Sequence, residues 1–209
     1  MIVAAILARN EAARLPRTLE RLAPFVDATV VVDDGSTDDT AALAHAAGAD
    51  VTALPPTHAG WWSAAHPEAP KRAVLWDVAA ARAGPGGWVL VCDADMELVG
   101  LSPQDLRLLT DPAILVNAWS WVLWDAWNDE GRARADGYWQ AHTRPRVWLA
   151  RVPTEPFAPR WERDALHVGH FPSNLSLTAG VVPPPAGYRH LAYLRPEDRV
   201  RKAAAYRAA

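Results

Sequence analysis

Apolar residues fall along the first half of the chain in short blocks separated by amphipathic stretches. Ile2 to Leu7 is a continuous apolar run, the pattern of a strand buried on both faces of a sheet. Leu15, Leu19 and Leu22 follow at i, i+4 and i+7, one face of a helix for which Asn10 is the expected cap. Ala28 to Val32 is a second strand, rich in β-branched residues, that stops at Asp33-Asp34-Gly35. Ser36 and Asp39 form an S-x-x-D start signal for a helix through Ala47, with Gly48 as its C-terminal cap. A third strand is expected near Asp50 to Leu54, and a third helix from about Pro70 to Ala83, ended by Gly84-Pro85-Gly86-Gly87. Trp88 to Cys92 is again apolar and again ends in acid, Asp93-Ala94-Asp95. Strands alternating with helices of this length predict βαβ units and a mostly parallel sheet.

The alternation fades after that. Ile114 to Trp124 is expected as a long strand, Arg146 to Ala150 and Ala165 to Val168 as shorter ones, and a basic helix from about Pro196 to Ala208. Neither a repeat nor an interdomain linker is visible. The chain therefore reads as one α/β domain over residues 1–209, with a nucleotide-type half (1–111) and an irregular acceptor-side half (112–209).

Composition narrows the classes. At 209 residues, 50% hydrophobic and 22% charged, the chain can bury a real core. A net charge of −3 gives no general pull toward nucleic acid or anionic membranes. The single Cys92 rules out a disulfide framework and a cysteine zinc cluster. Ile2 to Ala8 lacks the basic start of a signal peptide, and the longest uncharged stretch, Ala165 to Tyr188, holds His167, His170, Asn174 and several prolines. No transmembrane segment is expected, and the cytoplasm is the expected compartment.

The chemistry should lie where the acids are. In an open α/β sheet, ligands bind outside the carboxyl ends of the strands. Asp33 and Asp34 end one strand, and Asp93 and Asp95 end another. Carboxylates crowded at one crevice repel, and a divalent cation bridging them to substrate phosphates relieves that repulsion. No Walker A or G-x-G-x-x-G motif is present, so metal and arginine must hold any phosphate.

Three motifs, Ala5-Ile6-Leu7-Ala8-Arg9-Asn10-Glu11, Val31-Val32-Asp33-Asp34-Gly35-Ser36-Thr37-Asp38 and Val91-Cys92-Asp93-Ala94-Asp95, resemble in order and spacing those of family-2 glycosyltransferases with the GT-A fold. The resemblance covers residues 1 to about 100 and is loose beyond. It implies sugar transfer from a nucleoside-diphosphate sugar, UDP-linked or similar, to a hydroxyl acceptor, with Mn²⁺ or Mg²⁺. It places Asp34 on the donor's base, Leu7 and Arg9 along base and ribose, and Arg72 near the phosphates. Asp93 falls on the ribose side of the D-x-D motif, Asp95 at the metal, and His190 beside the metal ahead of a basic helix. Arg195, Arg199 and Lys202 would reach the diphosphate from that helix, and the segment beyond Pro185 would be separable from the sheet.

An inverting transfer needs a carboxylate to accept the acceptor hydroxyl's proton. Asp136 is the first choice, with Asp125 and Asp164 behind it. Some relatives carry His-Glu where this chain has His167-Val168, so that base is absent here. Seven of the 11 tryptophans lie between Trp119 and Trp161. Core packing is the ordinary role of such residues, and stacking on sugar rings is the alternative. The rival readings are a nucleotidyltransferase, a response-regulator-like switch, and a degenerate carbohydrate- or nucleotide-sugar-binding module that kept the fold and lost catalysis.

Overall fold

A computed structural model describes residues 1–55, 68–125, 145–161, 169–191, 196–200 and 204, with Trp124 and Asp125 described in backbone alone. The elements run β1 (Ile2–Ala8), α1 (Leu15–Leu22), β2 (Ala28–Asp33), α2 (Thr40–Ala46), β3 (Asp50–Ala53), α3 (Glu68–Ala83) and β4 (Trp88–Val91). Then follow β5 (Met96–Val99), α4 (Pro103–Leu109), β6 (Ala118–Asp125), β7 (Arg146–Arg151), β8 (Ala179–Val181) and β9 (Gly187–His190). Residues 196–200 are helical.

The α/β expectation holds. β3-β2-β1-β4 form a parallel block, and β7 pairs antiparallel to β4 and carries the sheet into β6. Both halves of the chain thus contribute strands to one nine-stranded sheet. Its period-2 alternation sorts β1 onto two faces. Ile2, Ala4 and Ile6 pack with Leu15, Leu19 and Leu22 of α1 and with Trp121, Trp148 and Tyr188. Val3 and Ala5 pack with Leu75, Trp76 and Ala79 of α3. The parallel strands are buried from both sides, which is why they read as unbroken apolar runs.

Several local expectations change. Asn10 does not cap α1. It stands at φ 54, donates its N–H to Ser36 Oγ at 2.9 Å and accepts from Thr37 N at 2.8 Å, so it staples the β1 and β2 loops together. α1 begins five residues later, with no side-chain cap. Ser36 does not start α2, because its N–H and hydroxyl both bond Asp33. Asp38 accepts from Thr40 N at 3.0 Å, and the helix begins there. The strand expected from Ile114 begins only at Ala118, since Ile114 N closes a turn on Asp111 O at 3.0 Å. β5, α4, β8 and β9 were not anticipated. The strand expected at Ala165 to Val168 lies outside the described residues.

Candidate functional site

Parallel pairing brings the ends of β1, β2 and β4 side by side, because β1 lies between the other two. Asp34 N donates to Ala8 O at 2.8 Å, which fixes the Asp33-Asp34 corner against the end of β1. The two acids then part. Asp33 is held by Ser36, a turn role that removes it from the expected four-acid crevice. Asp34 is buried, with Lys71 Nζ at 2.6 Å and Arg9 Nη1 at 3.7 Å from its Oδ2. Its other oxygen, Oδ1, is buried and has no hydrogen-bond partner.

Arg72 stands next to Lys71 on α3 but faces another strand end. It is buried, and Nε donates to Glu68 Oε1 at 2.7 Å, while Nη2 lies 3.4 Å from Asp93 Oδ1. Burial works to lower its pKa, but Asp93 and Glu68 outweigh that and the guanidinium ends up raised. Nη1 is buried without a partner. Arg72, expected near the donor's phosphates, is thus a buried cation beside Asp93. Leu7, half-buried on β1, packs with the α3 face of the sheet.

Asp93, Ala94 and Asp95 form a tight turn in which Met96 N returns to Asp93 O at 3.1 Å. The antiparallel β5–β9 pair sets His190 opposite Met96, and Leu191 N donates to Asp95 O at 2.7 Å. His190 Nε2 therefore lies 3.4 Å from Asp95 Oδ2, both side chains nearly buried. α1 braces the turn from below, where Thr18 Oγ1 donates to Ala94 O at 2.8 Å. Glu97, buried on β5, takes Arg17 from α1 and Arg189 from β9. Burial pushes its carboxyl up, but Arg189 and Arg17 prevail and hold it below the ordinary range.

Among the described residues, no group of three or more His, Cys, Asp or Glu side chains is arranged to hold a metal ion. Asp95 and His190 could together offer a cation one oxygen and one nitrogen, its remaining oxygens coming from phosphate or water. Cys92 is buried, with its thiol pushed well up by burial, and so is no nucleophile.

The acceptor-side candidates are less fully placed. Asp136, Asp164, Arg195, Lys202 and His167 lie outside the described residues. Asp125 ends β6, directly opposite His190 in the parallel β6–β9 register. Arg199 is half-buried in the helical segment 196–200. Trp121 and Trp148 are core residues, with Trp148 Nε1 donating to Trp121 O at 3.0 Å. Trp119 packs against the same cluster and donates to Leu109 O at 2.7 Å. Trp121 and Trp148, fully buried, are not sugar platforms. His170 stacks on Trp148 with centroids 4.4 Å apart, and burial, then Arg72, lower its pKa to about 4. It is neutral near pH 7.

Sequence reasoning missed Lys71, Glu97, Arg17 and Arg14. Arg14 Nη1 donates to Glu11 Oε2 at 2.9 Å, and Nη2 is paired to Asp198 in the helical segment 196–200. Only a lysine adjoining Arg72 was there to be noticed. The other three are identified by partners distant in sequence.

No protein-family model matches the chain. A TPR repeat-containing protein of Synechococcus elongatus is 38% identical over 109 residues, 51% of this chain and 23% of that protein. An uncharacterized glycosyltransferase of Rickettsia felis is 46% identical over 54 residues, 26% of this chain and 19% of that protein. The chain thus spans about a fifth of the length of the curated relatives it matches. Among solved structures, glucosyl-3-phosphoglycerate synthase from Mycobacterium tuberculosis, crystallised with Mn²⁺, UDP and glucosyl-3-phosphoglycerate, aligns at a TM-score of 0.40 and 25% identity, covering 59% of this chain and 44% of that one. In the order of its motifs and in the strand ends that carry them, the chain resembles a family-2 glycosyltransferase of the GT-A fold.

Proposed function

We propose that the chain binds a nucleoside-diphosphate sugar and a divalent cation at the ends of β1, β2 and β4, and transfers the sugar to a hydroxyl acceptor. One observation carries this reading. At the strand ends, Asp34 Oδ1 is a buried acceptor and Arg72 Nη1 a buried cationic donor, neither with a hydrogen-bond partner. Buried polar groups are nearly always satisfied, so each such orphan calls for an explanation. A ligand with a ring N–H at one end and anionic oxygens further along satisfies both, and a nucleoside diphosphate has that layout.

Each residue then has a physical task. Asp34 accepts from the base, while Lys71 and Arg9 keep its buried carboxylate compensated. Leu7 offers an apolar edge to the base and ribose. Arg72, held by Glu68 and Asp93, donates to a phosphate oxygen. Asp95 and His190 would hold Mn²⁺ or Mg²⁺, with Asp93 alongside, and a bound cation neutralises charge on the departing diphosphate. Arg195, Arg199 and Lys202 add positive charge for the same phosphates. In the transfer, the acceptor oxygen bonds the anomeric carbon, the bond to the diphosphate oxygen breaks, and a carboxylate takes the hydroxyl proton. A single displacement of this kind inverts the anomeric centre. Asp136, Asp125 and Asp164 are the bases to test, and the strand register next to His190 supports Asp125.

The test is a thermal-shift panel of nucleoside diphosphates, monophosphates and pyrophosphate with Mn²⁺ or Mg²⁺. A ligand at 100 times its dissociation constant stabilises the folded state by about 2.7 kcal/mol. A uridine diphosphate is expected to raise Tm more than pyrophosphate, and more with metal than without. No shift from any nucleoside diphosphate overturns the reading. A shift without turnover of any sugar nucleotide leaves a binding module.

A further inference from the structure

α1 presents a row of side chains to the Asp93–Asp95 turn and to β5. Thr18 bonds Ala94 O, Arg17 pairs with Glu97, and Arg14, one turn before Thr18, lies on the same side. Arg14 is also where the chain's end meets the site. One guanidinium nitrogen bonds Glu11, in the loop after β1, and the other pairs with Asp198 in the helical segment 196–200. Glu11 and Asp198 are both buried. Burial would lower the Arg14 guanidinium, yet Glu11, then Asp198 and Asp95, raise it, so Asp95 lies within its field.

We propose that Arg14 and Asp198 are a positioning pair, latching segment 196–200 beside Asp95 and coupling the seating of that segment to cation binding at Asp95 and His190. The proposal rests on the donor-site reading above. Two effects follow from the geometry and act together. Seating 196–200 against Arg14 limits how far His190 can move away from Asp95. Asp198 also balances the Arg14 charge, which otherwise opposes a second cation nearby.

The sign of each variant differs for that reason. Asp198→Asn removes the latch and leaves Arg14 undercompensated, and both changes weaken cation binding. Arg14→Gln removes the latch but also removes a competing positive charge, so its two effects oppose. Arg14→Lys retains the charge but replaces the two-nitrogen fork with a single ammonium.

The experiment has two readouts on the full chain. The first is hydrogen–deuterium exchange of the amides of 196–200 in the metal-free protein, which reports local opening. The second is a Mn²⁺ titration of the thermal shift at fixed uridine diphosphate. Asp198→Asn is expected to speed exchange of 196–200 and raise the half-saturating Mn²⁺ concentration by about 5-fold, a modest coupling. Arg14→Gln is expected to speed exchange as much but to shift the titration less. Arg14→Lys should fall between wild type and Arg14→Gln in exchange. Where the wild-type protein binds, unchanged exchange or an unchanged titration in Asp198→Asn overturns the coupling. If wild type binds no diphosphate at all, the donor-site reading fails, while Asp198→Asn exchange still decides whether the latch exists. A variant that merely destabilises would speed exchange throughout the sheet, and confinement to 196–200 separates the two.

Discussion

Asp34 shows how one residue can carry two roles that a single substitution separates poorly. Asp34→Ala removes an acceptor from the base and also removes the counterion of Lys71, a nearly buried cation. The ligand effect is expected to be a loss of about 10- to 100-fold in affinity for a nucleoside diphosphate, the scale of a hydrogen bond to a charged group. Pyrophosphate affinity should be unchanged, and a competition assay with both ligands reads the ratio. Tm should fall as well, because breaking a buried pair costs more than forming it gains. Equal loss for both ligands would remove Asp34 from base recognition. Asp95 makes the cleaner case. Its carbonyl holds Leu191 while its side chain meets His190, so Asp95→Ala keeps the backbone bond and loses the ligand. Metal-dependent stabilisation and turnover should vanish with circular dichroism intact, and an unfolded variant would contradict this. The sequence made Asp34 and Asp95 visible because each follows an apolar strand. It did not reveal that Asp33 is used up by Ser36, or that Lys71 is Asp34's counterion, since both depend on how a loop turns.

Elements differ in how far their own residues declare them. β1, β2 and β4 are legible because burial on both faces leaves an unbroken apolar run. β5 and β9 are not, for Met96–Val99 and Gly187–His190 are four-residue strands whose pairing joins sites about 90 residues apart. Glu97 and Arg189 look like surface charges in sequence and become an internal ion pair only when those strands meet. α4 had a readable start in Ser102-Pro103-Gln104-Asp105, a capping box that opens a helix of only seven residues. The same helix carries a pH prediction. Arg107 grips Asp27 at the entry to β2, and Asp27 also accepts from Ile2 N at 2.6 Å. The Arg107 hydrogen bonds lower the Asp27 pKa from 3.8 to about 2. A depressed carboxyl stabilises the fold above its unfolded pKa, and that contribution is lost as pH falls through the folded value. Stability should therefore decline between about pH 4 and pH 2 by less in Asp27→Asn than in wild type. Urea midpoints across that range test it, and because the pair is partly exposed the difference should be small and salt-sensitive. Parallel acid limbs in the two proteins would count against the pair.

The whole molecule constrains where its end can be removed. The sequence suggested that everything beyond Pro185 is separable from the sheet, and the fold corrects this. β9 lies between β6 and β5 and bonds to both. Tyr188 on it is fully buried, in ring contact with Trp121 at 5.6 Å and Trp148 at 4.9 Å, and donates to Val91 O at 2.9 Å in the parallel block. Deleting residues 186–209 opens two ladders and empties an aromatic site, for which the loss of one buried ring alone costs about 3–5 kcal/mol. That is a large share of a domain's stability, about 5–15 kcal/mol. Deleting residues 192–209 keeps Tyr188, His190 and both ladders, and removes segment 196–200 with Asp198. The longer deletion is expected to be unfolded or strongly destabilised in urea. The shorter one should unfold cooperatively near the wild-type midpoint, yet need more Mn²⁺ for half-maximal stabilisation by a uridine diphosphate. Wild-type stability in the longer deletion would mean β9 is dispensable to the sheet. A collapse of the shorter one would mean the chain beyond Leu191 supports the fold itself, beyond any part it takes in the donor site.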